Sequence, residues 1–353
     1  MTTATPEPPL VSVIMPVRNE GAFITRSLGA VIEQDYPRDR LEVIVADGMS
    51  TDGSREALAR WQAIEPRIRV VDNGGRTAPC GLNAALRVAR GDVIVRVDGH
   101  CVIAPDYVRR CVGHLQASTV DAVGGPLDTV GETRSAGIIA CAMSSVFGVG
   151  NSAFRTTSDK TLAVDTVAFP AYRRSTLHRL GPFDEELVRN QDDEYNYRLR
   201  KSGGCVLLAA DVRAQYYSRS SFSSVWRQFF QYGYWKVRVL QKHPYQMCVR
   251  QFAPPVFVAS LMGSLLAAPF TSAAWWLLAA VAGAYTIANL FASIRTAGRG
   301  HLRAVAPLSV VFAIMHGAYG SGFLAGLFTF WNRWPLFGRS DTYENRVPPV
   351  SRA

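Results

Sequence analysis

The chain has 353 residues, 48% of them hydrophobic, and a formal charge of +10. That length admits one large domain or two ordinary ones. The positive balance comes without an arginine–aromatic recognition module, which excludes nucleic acid as the partner and points to an anionic membrane surface and phosphorylated ligands.

Six cysteines (Cys80, Cys101, Cys111, Cys141, Cys205 and Cys248) show no CxxC spacing, so neither a zinc ribbon nor a redox pair is indicated and a reduced cytosolic setting fits. The first ten residues lack a signal-peptide pattern, so the part that follows is expected in the cytosol. A buried-strand run at 11–15 is expected to stop at Pro16, and apolar residues at helical spacing follow over 23–34. A second strand at 41–46 closes on Asp47 and a Gly- and Ser-rich turn. Helix is expected at 55–64, strand at 68–71, helix at 78–89 and a fourth strand at 92–97. Strands alternating with helices at this spacing imply βαβ units, a mainly parallel sheet and right-handed crossovers.

The loops after these strands are polar. In open α/β sheets ligands bind beyond the carboxyl ends of the strands. Asp98 and His100 lie two apart, so on an extended backbone both side chains point the same way and converge on a divalent cation. The alternative is a strand end with a turn glycine and two solvated polar groups. Ser50 or Asp52 is a candidate N-cap for the following helix. Further on, Asp192, Asp193 and Glu194 open a helix, where acids also complement the helix dipole.

Residues 222–241 mix aromatics with cations, the pattern of a helix lying in a membrane interface. Composition breaks near Arg250: residues 251–294 carry no charge, nor do 304–331 apart from His316. The first stretch is long enough for two spans turning at Pro269-Phe270-Thr271-Ser272. Arg250 and Arg295 bound it, and the acid-free loop after it carries Arg295, Arg299 and Arg303, placing both ends in the cytosol. The second stretch holds Pro307 and a GxxxG pair, Gly322 and Gly326, which favours close helix packing. One straight span would put the tail outside, whereas Arg333 and Arg339 argue for the inside; a broken or re-entrant segment would reconcile them. His316 is either a functional group or a packing histidine bonded to a neighbouring helix. The expected division is 1–220 catalytic, 221–250 interfacial, 251–331 membrane (252–270, 273–294, 305–330) and 332–353 tail.

Val13-Ile14-Met15-Pro16-Val17-Arg18-Asn19-Glu20, the run from Val43 to Ser54, the Asp98 turn, Gly181-Pro182-Phe183-Asp184-Glu185 and the run from Gln191 to Arg200 together resemble family 2 glycosyltransferases. Arg76-Thr77-Ala78-Pro79, Val95-Arg96-Val97-Asp98-Gly99-His100 and Gly148-Val149-Gly150-Asn151 narrow the resemblance to a membrane-attached, succinoglycan-biosynthesis type of glucosyltransferase. The resemblance implies a GT-A fold (Rossmann-like, mixed and mainly parallel) and an inverting sugar transfer from a nucleotide-diphosphate donor, with UDP-glucose as the subgroup's donor. It implies that Pro16, Arg18, Glu20, Asp47 and Arg76 bind the nucleotide sugar with Asp98. Asp98 and His100 would take the family's DxD metal position for Mn²⁺ or Mg²⁺, histidine replacing the second acid. Asp192 would be the base, with Asp193 one residue out of register as the second choice and Gln191 in place of the usual glutamate.

The chemistry needs two acidic sites. An in-line displacement at the anomeric carbon requires a carboxylate to deprotonate the acceptor hydroxyl, and a cation to stabilise the departing diphosphate. Gln231-Tyr232-Gly233-Tyr234-Trp235 resembles the QxxRW motif of processive members, with Tyr234 in place of the arginine. Gln231, Tyr234 and Trp235 are thus candidate acceptor or diphosphate contacts, and Arg227, Lys236 or Arg238 candidate substitutes for the missing charge. A multi-pass protein of the inner membrane follows, with its catalytic domain in the cytosol. The expected partners are membrane lipid, a nucleotide-diphosphate sugar and a polyprenyl-diphosphate-linked glycan acceptor. A processive polysaccharide synthase and a non-catalytic sugar-nucleotide-binding assembly subunit are the alternatives.

Overall fold

The computed structural model describes residues 7–298 and 302–334. β1 (Val11–Val17) leads to α1 (Ile24–Ile32), β2 (Leu41–Asp47) to α2 (Ser54–Ile64), and β3 (Ile68–Asp72) to α3 (Ala78–Leu86), followed by β4 (Val93–Arg96). These four strands lie in the order β3-β2-β1-β4 and pair in parallel, so their carboxyl ends share one edge. Alternate residues feed two cores: Val13, Val43 and Val95 one face, Ile14, Ile44 and Ile94 the other. Burial on both faces is why these strands read as unbroken apolar runs. Pro16 does not end β1 as expected. The β1–β4 register stops at Ile14, so the proline, which lacks an N–H, falls where only β2 continues beside it.

The middle of the chain adds β5 (Cys101–Ile103), α4 (Tyr107–Ala117), β6 (Ala122–Gly125), β7 (Leu127–Val130), α5 (Arg134–Met143), α6 (Val146–Val149), α7 (Ala153–Thr156) and β8 (Leu162–Ala163). β9 (Ala168–Arg173), α8 (Arg174–Leu180), α9 (Gln191–Lys201), β10 (Val206–Leu208) and β11 (Ala214–Tyr217) complete it. β9 enters antiparallel between β4 and β6, giving an eight-stranded mixed sheet, β3-β2-β1-β4-β9-β6-β10-β8. A second sheet, β5-β11-β7, closes over one end.

Four long helices follow: α10 (Phe222–Lys242), α11 (Ala253–Ala267), α12 (Ser272–Ala297) and α13 (Val305–Thr329). Three stretches, Val249–Ala267, Ser272–Ala297 and Leu302–Thr329, are long and apolar enough to cross a membrane. The third is not broken: α13 runs through it as one continuous helix. Pro307 sits in the first turn of α13, where its missing N–H has no intrahelical partner to lose. Leu308, Val311, Phe312 and Met315 are buried in the same apolar core as the strands. Farther along, α13 lies directly on α10: a Cβ at Gly322 would fall 2.0 Å from the Phe230 carbonyl oxygen, and one at Gly233 2.0 Å from that of Tyr319. Small residues permit this backbone approach. At its end Gln241 Nε2 donates to the Phe330 carbonyl at 2.7 Å, and Arg333 donates to Glu186 at 3.0 Å. Arg339 lies outside the described residues.

Candidate active site

A cavity of about 1560 Å³ opens beyond the carboxyl end of β4. Asp98, His100, Asp192 and Asp193 line it from the soluble half, and α11, α12 and α13 contribute its far wall. Two acidic positions far apart in sequence therefore meet in one space, because β4 and the start of α9 both deliver their residues to the same edge.

Asp98 and His100 do not sit on an extended strand. β4 ends at Arg96, and the Cys101 N–H donates to the Asp98 carbonyl at 3.1 Å, closing a turn. The alternation rule does not apply across that turn. Each side chain has its own partner. Arg96 forks onto Asp98, Nε to Oδ1 at 3.0 Å and Nη2 to Oδ2 at 3.2 Å. Burial disfavours the Arg96 charge, but the charges of Asp98 and Asp192 outweigh it and raise its pKa. His100 Nδ1 lies 2.9 Å from Glu20 Oε1. Among the described residues no three carboxylate, imidazole or thiol groups form a metal cage. Asp98 and His100 both line the cavity and would supply two donors to a cation that takes its remaining oxygens from a diphosphate. The imidazole suits Mn²⁺ better than Mg²⁺.

The acidic run on α9 divides by partner. Glu194 is fully buried, accepting from Arg198 at 2.6 Å and paired with His243 at 3.0 Å. Asp193 is salt-bridged to the buried Lys236 of α10. Burial would raise the Asp193 pKa, but the Lys236 charge and hydrogen bond hold it below the ordinary carboxylate value. Asp192 has no ion pair among the described residues; its Oδ1 accepts the neighbouring Asp193 N–H at 2.9 Å. Of the two α9 carboxylates that line the cavity, Asp192 is the one without a cation partner among the described residues.

Pro16, Arg18, Glu20, Asp47 and Arg76 form a second cluster on the same sheet edge, outside the cavity lining. Gly53 is the N-cap residue of α2, and Asp52 Oδ1 accepts the first helical N–H, that of Ser54, at 3.1 Å, while Ser50, Asp52 and Ser54 also serve the loop after β1. They receive the backbone N–H groups of Asn19, Gly21 and Glu20 at 2.9, 2.8 and 2.9 Å respectively, tying the loop after β1 to the loop after β2. Arg18 Nη1 donates to the Arg76 carbonyl at 3.0 Å. Asp47 is fully buried; its Oδ2 accepts the Ser50 N–H at 3.2 Å, while Oδ1 has no partner among the described residues. Glu20 is engaged by His100 and so bridges this cluster to the Asp98 turn.

Gln231, Tyr234 and Trp235 do not line the cavity. Gln231 accepts from Arg189, which does, and Tyr234 and Trp235 pack on Phe330. Of the substitute cations, Lys236 serves Asp193, Arg238 serves Glu186 at 2.9 Å, and Arg227 is exposed. His316 is a packing histidine: its Nδ1 lies 3.0 Å from the Tyr285 hydroxyl and its Nε2 2.8 Å from the Phe147 carbonyl. Sequence reasoning missed Arg96 as the partner of Asp98. The available signal was an arginine inside a β-branched run, since a buried arginine must be paired.

A family model described as glycosyl transferase family 2 matches residues 12–181. The chain is 29% identical to succinoglycan biosynthesis protein ExoA of Rhizobium meliloti (strain 1021), over 91% of this chain and 96% of that protein. It is 25% identical, over 66% of this chain and 74% of the relative, to dolichyl N-acetyl-alpha-D-glucosaminyl phosphate 3-beta-D-2,3-diacetamido-2,3-dideoxy-beta-D-glucuronosyltransferase of Methanococcus voltae. Among solved structures, a mannosyltransferase of Pyrobaculum calidifontis in complex with GDP-Man and Mn²⁺ superposes with a TM-score of 0.59 at 23% identity, covering 92% of this chain and 88% of that one. Residues 1–349 of S. aureus TarS give 0.52 at 16% identity, with 93% of each chain covered. The shared architecture is the GT-A-like mixed α/β fold.

Proposed function

Because residues 12–181 match the glycosyl transferase family 2 model, we propose that the chain is a membrane-anchored inverting glycosyltransferase that moves glucose from UDP-glucose to a polyprenyl-diphosphate-linked glycan at the inner leaflet. The observation that carries this reading is the cavity, which has Asp98 and Asp192 at one end and α11 and α12 at the other. A reaction between a soluble donor and a lipid-borne acceptor needs such a space.

The buried Asp47 Oδ1, which lacks a donor among the described residues, supports the reading of Asp47 as an acceptor for a nucleobase N–H. Asp98 and His100 would hold the divalent cation. When bound, that cation supplies charge to the diphosphate leaving group. Asp192 takes the proton of the acceptor hydroxyl as that oxygen attacks the anomeric carbon from the face opposite the diphosphate. The sugar–phosphate bond breaks as the glycosidic bond forms, and the nucleoside diphosphate leaves with the electron pair. Asp193 cannot serve equally, because Lys236 already holds its charge. The polysaccharide-biosynthesis role named for the R. meliloti relative agrees with a glycan acceptor.

The test is a panel of nucleotide sugars incubated with the full chain and membrane lipid extract, with and without Mn²⁺ or Mg²⁺. Release of nucleoside diphosphate and a product heavier than the acceptor by one hexose are expected with UDP-glucose. Long polymer would establish a processive synthase instead, and no release from any donor would overturn the enzymatic reading.

A further inference from the structure

The far wall of the cavity carries more than the sugar chemistry requires. Seven arginine and lysine side chains line the cavity against four carboxylates. Arg96 is taken by Asp98 and Lys236 by Asp193. Arg250 approaches Asp165 only to 3.8 Å, and Arg219 and Arg295 have no carboxylate partner among the described residues. Arg250 lies in the turn just before α11 and Arg295 near the end of α12, so both stand at the same mouth of the helical hairpin.

Below that mouth the lining is mostly apolar, with Ser260, Tyr285 and His316 as polar exceptions. On α12 it runs through Phe291, Ala288, Ala284 and Val281, spaced three and four apart and therefore on one face. At roughly 1.5 Å per residue, the stretch from Arg295 to Val281 is about 21 Å long. Phe257 and Ser260 of α11 face it. A groove of this length, mostly apolar along its wall and cationic at its water-facing mouth, matches a long hydrocarbon chain ending in a multiply charged anion.

We infer that the groove between α11 and α12 binds the isoprenoid chain of a lipid diphosphate, and that Arg250 and Arg295 hold the diphosphate itself, separately from the donor's. This rests on the proposed lipid-linked acceptor and adds the residues that recognise it. The charge argues for a diphosphate over a bulk phospholipid, whose single phosphate leaves the cations at this mouth in excess. Charge-assisted arginine–phosphate bonds beside an apolar wall are among the stronger polar contacts.

The test uses the full chain in phosphatidylcholine nanodiscs and labelled farnesyl diphosphate as the probe. Saturable binding is expected, competed by undecaprenyl diphosphate but not by farnesol or phosphatidylglycerol. The Arg250→Gln, Arg295→Gln double variant should bind the probe at least about tenfold more weakly, the effect of losing charge-assisted bonds. Ala288→Trp fills the groove and should block farnesyl diphosphate. UDP binding should be unchanged in both variants, which shows that they are folded. Equal competition by phosphatidylglycerol, or wild-type affinity in both variants, would overturn the inference. Failure of the proposed function reads differently: transfer that survives Asp192→Asn would remove that reading while leaving the lipid measurement intact.

Discussion

Asp193 on α9 and Lys236 on α10 form an ion pair that joins the first turn of the acidic helix to the helix packed beneath it. This pairing separates two adjacent aspartates that sequence alone leaves interchangeable. Asp192→Asn should lower kcat about a thousandfold with nucleotide binding retained, the usual scale for a lost general base. Asp193→Asn should cost about tenfold, and Lys236→Met about the same. The double variant should cost no more than either single change, because both remove one interaction. Steady-state kinetics on the four proteins checks this; equal losses for Asp192→Asn and Asp193→Asn would contradict it.

Glu194 extends the same joint into a pH dependence. Burial would raise its pKa, but His243 and Arg198 lower it below the ordinary carboxylate value, as Lys236 does for Asp193. A group whose pKa is depressed in the folded state stabilises the fold above its unfolded pKa, and that contribution is lost as pH falls through the folded value. Thermal unfolding in detergent should therefore show Tm falling as the medium is acidified from neutral into the carboxylate range. Glu194→Gln should cost about 3 kcal/mol at neutral pH, the scale for removing one partner of a buried pair. Its Tm should also depend less on acid. A wild-type Tm independent of pH would refute the assignment.

The His100–Glu20 pair yields a metal prediction. A hydrogen-bonded carboxylate fixes the imidazole's orientation and tautomer, leaving the other nitrogen to ligate. Glu20→Gln should weaken the response to Mn²⁺ about tenfold, the lower end of the effect of such outer partners. His100→Asp should move the preference from Mn²⁺ toward Mg²⁺, since it replaces nitrogen with oxygen. Metal titrations of nucleoside-diphosphate release measure both. An unchanged Mn²⁺ to Mg²⁺ ratio in His100→Asp would show that this side chain does not contact the metal.

The parallel quartet was legible because strands buried on both faces are uniformly apolar. The hairpin of α11 and α12 was legible because an uncharged stretch long enough for two spans is rare outside a bilayer. The Asp98–His100 geometry was misjudged because the alternation rule presumes extended backbone, whereas Gly99 lies in a turn. The cations of α10 read as a membrane face because their periodicity is amphipathic. Their partners, Asp184, Glu186 and Asp193, belong to a distant segment, and no local pattern signals which acid a buried lysine will meet. β5, β7 and β11 are short and pair with strands remote in sequence, so burial and pairing decide them rather than propensity.

The course of α13 yields a prediction about topology that composition leaves open. Its 25 residues, about 37 Å, would suffice to cross a hydrocarbon core of about 30 Å. Yet it joins the core of the soluble half at Val311 and Phe312, packs backbone to backbone on α10, and ends where Arg333 reaches Glu186. A helix held to the soluble half at both ends is expected to keep both of them on one side of the bilayer. It is therefore expected to lie along the membrane surface, with one side packed on α5 and α10 and another on the hairpin, while Val310 and Phe328 stay exposed. With the exposed Cys141 and Cys248 replaced by serine, Asn332→Cys should react with a membrane-impermeant maleimide only from the side that carries the soluble half. Phe270→Cys, in the turn between α11 and α12, should react only from the other side. Labelling of Asn332→Cys from the same side as Phe270→Cys would make α13 a third crossing and break the Arg333–Glu186 contact in the membrane-bound protein.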